Sequence, residues 1–195
     1  MTEVTEIALL HLRKDVDLED DSSVALQTWR KAIGIVSSRL GFKDQFWGLR
    51  LEDKTQLVWT LDWDSVDKHK EFINHEDYKP FVAELAQVFD FDAHPPFLTH
   101  IAFTSADSLK AARSAPAALD NGSSGVAMGW YLEDDVESSE GKKVTALQAL
   151  LGWESVEQHM ALRNKPEFAE VVKPVRAIQA KGRDDMGMFH AKLRK

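Results

Sequence analysis

Residues 63–82 read WDSVDKHKEFINHEDYKPFV, and ninety positions later residues 153–172 read WESVEQHMALRNKPEFAEVV. Six identities fall in this window: Trp63/Trp153, Ser65/Ser155, Val66/Val156, His69/His159, Asn74/Asn164 and Val82/Val172. Among the remaining pairs, Asp77 meets Glu167, Tyr78 meets Phe168 and Phe72 meets Leu162. Further on, His100 in PFLTHIAF meets His190 in MGMFHAKL with no gap. Chance is a poor explanation for this register. The chain reads as two fused copies of one unit, and a repeat decides architecture before any local pattern does.

Working outward from the window, the first copy reads as a succession of strands and helices. Glu6 to Leu12 is a short apolar run suited to a strand. Asp20, Asp21, Ser22 and Ser23 supply N-cap chemistry, after which Leu26, Trp29, Ile33, Val36 and Leu40 recur at helical spacing up to Gly41. Gln45 to Leu51 and Thr55 to Leu61 flank Glu52-Asp53-Lys54 and read as a hairpin. Asp64 or Ser65 caps a short helix, and a break near Asn74 to Asp77 leads to a second helical stretch carrying Tyr78, Phe81, Val82, Leu85 and Phe89. Phe97 to Phe103 is the last strand. The order is βαββαβ, the ferredoxin-like unit.

The second copy is shorter. Gly125 to Leu132 matches the first hairpin strand, with Gly129 in the place of Gly48, and Lys143 to Leu151 matches the second. Ser155 and Gln158 fit a capping box, and Pro166 opens a stretch of Phe168, Val171, Val172, Val175 and Ile178 that Pro174 should kink. However, 62 residues precede Trp63, whereas only 49 separate Phe103 from Trp153. Ser105 to Leu119 is expected to keep some helix, Pro116 and Asn121 to Gly125 mark a loop, and a first strand is the element in doubt. We therefore expect an α+β protein with units at 1–103 and 104–195. One-sided sheets need cover, and two of them can cover each other as an intramolecular barrel.

Composition excludes several functions. The 195 residues carry 24 Lys+Arg against 32 Asp+Glu, a net charge of -8, so no basic face for nucleic acid is expected. There is no cysteine, which removes thiolate nucleophiles, disulfides and thiolate metal sites. No apolar run approaches the ~18 residues of a membrane span, and acids stand where a signal peptide wants bases. No His-Glu-x-x-His, calcium loop, phosphate-cradling loop or Gly-x-Ser-x-Gly elbow is present. The expectation is a cytoplasmic protein with no metal and no cofactor.

The stretches LDWDSVDKHKEFINHEDYKPFVAEL and LGWESVEQHMALRNKPEFAEVVKPV resemble the dimeric α+β barrel superfamily, and within it the fungal-type proteins with antibiotic-biosynthesis-monooxygenase-like domains. The resemblance implies a pocket that takes an aromatic or hydrophobic small molecule. It also implies activities ranging from cofactor-independent oxygenation of polyketide anthrones and quinols to polyketide cyclisation. Haem degradation occurs in the superfamily too, but no His here matches a proximal-ligand motif. Fold alone does not choose among them.

Histidine is the natural proton carrier near neutral pH. His75, at the junction of two helical pieces with Tyr78 three residues on, and His11 on the first strand are the candidate bases, with Tyr78 as hydrogen-bond donor. Trp47, Trp59 and Trp130 on strands are candidate pocket walls. His100 and His190, repeat-related and on strands, are expected to share a face lining the cavity between the sheets. His69 and His159 read as packing residues just after a helix cap, and Asn74 and Asn164 as helix terminators. The expected function is a small oxygenase or cyclase of secondary metabolism; the alternative is a non-catalytic ligand-binding or stress-related barrel. Fusion of the copies makes a monomer sufficient and leaves a homodimer open.

Overall fold

The computed structural model describes residues 2–103, 123–133, 143, 145–169 and 188–195. The chain forms two compact units, Met1–His100 with Phe189–Lys195, and Ile101–Met188. The terminal segment of the second copy thus belongs to the first unit, unlike in a simple cut after residue 103.

The protein is α+β, and its first unit has the ferredoxin-like order. Strand β1 (Val4–His11) is followed by α1 (Val24–Ser37), β2 (Phe42–Leu49), β3 (Gln56–Trp63), α2 (Val66–Ile73), α3 (Tyr78–Leu85) and β4 (Phe97–Phe103). The strand order is β2-β3-β1-β4, with β3 antiparallel to both β1 and β2. Ser23 caps α1 by accepting from the Leu26 N–H, and Leu26, Trp29, Ala32 and Val36 then form its buried stripe. Leu40, expected to close that stripe, is 76% exposed. The helix stops at Ser37, and Gly41 turns the chain at φ 84°, where a side chain is strained.

Period-two alternation sorts the strands. Ala8 and Leu10 of β1 and Trp59, Leu61 and Trp63 of β3 join the core beneath the helices. Trp29 is the centre of that core, edge-on to Trp47, Trp59 and Phe89 at 5.7, 4.6 and 5.5 Å. Residues on the opposite side, Ile7, Leu9, Val58 and Thr60, are buried as well.

The C-terminal segment lies along the outer edge of β2. The Trp47 N–H donates to the Arg194 carbonyl at 2.9 Å, the Arg194 N–H returns to Trp47 at 2.8 Å, and the Leu51 N–H donates to the His190 carbonyl at 2.8 Å.

In the second unit the end of β4 pairs antiparallel with β5 (Gly125–Tyr131), and β5 pairs with β6 (Leu147–Gly152), ahead of α4 (Val156–Arg163). Here Ile101 pairs with Tyr131, and in the first unit Ala191 pairs with Arg50. Ala191 is Ile101 moved by the repeat offset, and Arg50 stands to Gly48 as Tyr131 stands to Gly129. A Cβ on Gly48 would collide with the Lys192 carbonyl, and one on Gly129 with the Ala102 carbonyl. Both glycines are therefore required by the same close strand approach. The end of β4 thus pairs along β5, and the C-terminal segment meets β2 through the isolated bridges Trp47–Arg194 and Arg50–Ala191.

Ser155 caps α4 by accepting from Gln158 N–H, while the Gln158 amide oxygen accepts from Glu154 N–H rather than from Ser155 itself. The expected helix at Ser105 to Leu119, the loop up to Gly122 and the kink at Pro174 lie outside the described residues.

Candidate active-site pocket

A cavity of about 240 Å³ lies inside the first unit, between the helix-facing side of its sheet and the helices. Its walls are apolar and rich in rings, with Trp59, Trp63, Phe72, Phe81 and Phe91 among them, and Glu6, His69 and Tyr78 are its polar side chains with titratable groups. Alternation along β1 turns Glu6 inward with Ala8 and Leu10. Ser65 starts α2 by accepting from Lys68 N–H, which sets His69 and Phe72 on the buried side of the following turn. Tyr78 opens α3.

Glu6 is only 5% exposed. Burying a carboxylate is costly unless donors replace its water. Here Trp63 Nε1–H donates to Glu6 Oε2 at 3.1 Å, and His69 Nε2 lies 3.4 Å from the same oxygen. The His69 ring stacks on Trp63 with centroids 5.0 Å apart and planes at 19°. Its other nitrogen, Nδ1, meets His100 Nε2 at 2.7 Å. Ligand atoms of Glu6, His69 and His100 lie within 4.8 Å of one another, so these are the residues that could hold a metal ion among those described. However, His69 turns opposite nitrogens to its two partners. That is the arrangement of a relay rather than of three ligands converging on one point.

Burial, with the nearby Glu6 charge adding to it, raises the Tyr78 phenol above its ordinary value. The hydroxyl stays protonated through neutral pH and can donate. Trp59 is fixed by donating Nε1–H to Gln45 at 2.8 Å, and Gln45 in turn donates to Ser37 at 2.7 Å.

Of the residues expected from sequence, the structure brings Tyr78 and Trp59 to the pocket and His100 to its edge through His69. The others lie elsewhere. His11 is on the opposite side of β1, 2.7 Å from the Gln56 amide and stacked on His94 at 4.3 Å. His75 is exposed at the end of the α2–α3 turn, accepting from Asp77 N–H at 3.2 Å. Trp47 packs against Trp29 under α1, with the Arg194 guanidinium 4.0 Å from its ring. Trp130 falls on the outward side of β5 and is 53% exposed. His190 is not beside His100. It lies in the C-terminal segment, where its backbone N–H donates to Glu52 at 3.0 Å.

Glu6 and His69 are the functional candidates that sequence reasoning missed. A single acid inside an apolar strand was the available signal, but alternation alone does not say which side of a strand meets the helices. His69 was visible through the repeat and its meaning was not, since its partners lie 63 residues before it and 31 after it in the chain.

No family model matches the chain, and no curated protein does. Among solved structures it is similar to a candidate monooxygenase from Fusobacterium nucleatum, with TM-score 0.52, 11% identity and 97% of each chain covered. That likeness is one of fold. Shorter similarities cover 51% of this chain: a candidate antibiotic biosynthesis monooxygenase from Bordetella bronchiseptica (TM-score 0.43, 20% identity, 95% of that chain) and SnoaB, a cofactor-independent oxygenase from Streptomyces nogalater (TM-score 0.40, 12% identity, 89% of that chain). No helix among the described residues is long and apolar enough to cross a membrane.

Proposed function

We propose that the protein is an enzyme that removes a proton from an aromatic or polyketide-like small molecule held in the first unit's pocket. The observation that carries this reading is a buried carboxylate, Glu6, at the polar corner of an otherwise apolar, ring-walled cavity. A base in a water-poor site is stronger than in solution, and Glu6 is held by the Trp63 N–H on one oxygen, with His69 Nε2 3.4 Å from the same atom.

Glu6 takes a proton from an activated CH2 beside a carbonyl or between rings. The electron pair moves onto the neighbouring oxygen, to which Tyr78 donates a hydrogen bond. The carbanion then passes electrons to dioxygen and forms a peroxide at the same carbon. Loss of the second C–H proton with cleavage of the O–O bond leaves a ketone and water, so CH2 and O2 become C=O and H2O. In a cyclase the same carbanion attacks a carbonyl of its own chain, and Glu6 returns the proton to the new alkoxide. Neither route calls on a bound cofactor. Both copies lie in one chain, so we expect a monomer by analytical ultracentrifugation.

The test is oxygen uptake and product absorbance with anthrones, quinols and linear polyketones. Turnover that falls at least ~100-fold in Glu6→Gln supports the reading. Turnover indifferent to Glu6→Gln and Tyr78→Phe overturns it, as does tight binding of such ligands without reaction, which is the behaviour of a ligand-binding protein.

A further inference from the structure

We propose that His100 is a positioning residue for the pocket: by donating its Nε2–H to His69 Nδ1, it confines the His69 proton to Nε2, where it faces Glu6. The inference rests on Glu6 as the base described above, and it adds two histidines, one on α2 and one on β4, to the working parts of the site.

A neutral imidazole has one N–H and one acceptor nitrogen. An ionised carboxylate only accepts, so the contact between His69 Nε2 and Glu6 requires the proton on Nε2. His69 Nδ1 is then an acceptor, and the nitrogen 2.7 Å away on His100 must be the donor. The bonds therefore run one way, from His100 to His69 to Glu6. With the proton on Nδ1 instead, a bare lone pair would face a buried negative charge. The His69 ring is also held in its plane by the stack on Trp63, whose own N–H goes to the same Glu6 oxygen. Trp63 thus donates to one Glu6 oxygen, and His69, braced by His100, turns Nε2 toward the same atom. An orienting partner of this kind fixes tautomer and direction without reacting itself, as the acid of a catalytic triad does.

The experiment needs no substrate. Long-range proton–nitrogen spectra of the 15N-labelled full chain at neutral pH report which ring nitrogens carry protons. In the wild type His69 is expected as the Nε2–H tautomer with Nδ1 unprotonated. His100→Gln keeps an N–H donor in reach and retains that pattern; His100→Leu gives a mixture of tautomers. Where substrate is in hand, His100→Leu lowers kcat about 10–100-fold with KM little changed, and His100→Gln restores most of it. A wild-type His69 protonated on Nδ1 overturns the inference, and this arm holds even if His100→Leu fails to fold. So does a folded His100→Leu with an unchanged His69 spectrum. Stoichiometric zinc uptake that shifts both rings and needs Glu6 overturns it too, by making the three side chains ligands. The expected tautomer without turnover of any enolisable compound removes the base reading and leaves the positioning intact; the wrong tautomer with an inactive Glu6→Gln does the reverse.

Discussion

The two copies of the Trp-x-Ser-Val-x-x-His stretch fold alike and are surrounded differently. Trp63 stacks on His69 at 5.0 Å and 19°, and Trp153 stacks on His159 at 4.8 Å and 18°. Ser65 and Ser155 both cap their helices, and Asn74 and Asn164 both end them. In the first copy the stack closes a pocket: Trp63 is fully buried, Phe72 is buried behind it, and Glu6 and His100 meet the ring from two other strands. In the second copy Trp153 is half-buried, Leu162 stands where Phe72 does, and His190, the counterpart of His100, lies in the first unit beside Glu52. The repeated residues therefore build a helix start and a ring stack. The two surroundings differ in what the other strands bring to that stack.

The comparison can be broken most sharply at the tryptophans. Trp63→Ala is expected to cost about 3–5 kcal/mol in urea unfolding, the range for deleting a fully buried aromatic, and Trp153→Ala less than half of that. Equal costs would mean that the two stacks carry equal packing. For activity on any substrate the pocket accepts, His69→Ala should lose on the order of 100-fold and His159→Ala less than about twofold. Matching losses would place working groups in both copies. The caps test the shared part: Ser65→Ala and Ser155→Ala should each cost about 1 kcal/mol, since both hydroxyls do the same work.

The smallest effect concerns His190. Burial opposes ionisation of Glu52, but hydrogen bonds from the His190 backbone and ring outweigh it and hold the carboxyl below its ordinary value of 4.5. A carboxyl lowered in the fold contributes stability above the unfolded value and loses it as pH falls through the folded one. Protection of the amides of residues 188–195, taken as exchange relative to the intrinsic rate at each pH, should therefore be high above pH 4.5 and fall below it, and in Glu52→Gln that fall should flatten. Protection that is unchanged across this range would mean that the backbone ladder to β2 holds the segment alone.

Much of the fold was legible because it rests on local rules. Ser65 and Ser155 read as caps from their place before an amphipathic run. Leu26, Trp29 and Val36 read as one helical stripe, and Phe97 to Phe103 coincides with β4. The boundary errors have local causes too, as at Leu40, where the turn through Gly41 begins before the apolar stripe ends. The site was far less legible. Trp59 and Tyr78 were placed by type and reached the pocket, whereas His11 and His75 were chosen for the same reason and point elsewhere.

The sequence by itself determined the repeated Trp-x-Ser-Val-x-x-His stretch, the order βαββαβ of the first unit, the caps and the matched places of the glycines at 48 and 129, because each follows from residues a few positions apart or from one fixed offset. Only the tertiary structure decided that Glu6 turns toward the helices, that it meets Trp63 and His69, and that His100 closes the line while His190 joins the opposite end of the chain's first unit. Those outcomes depend on strand register and on which face the helices cover. Register is set by contacts spanning tens of residues, and a slip of one position would send every side chain of β1 to the other face.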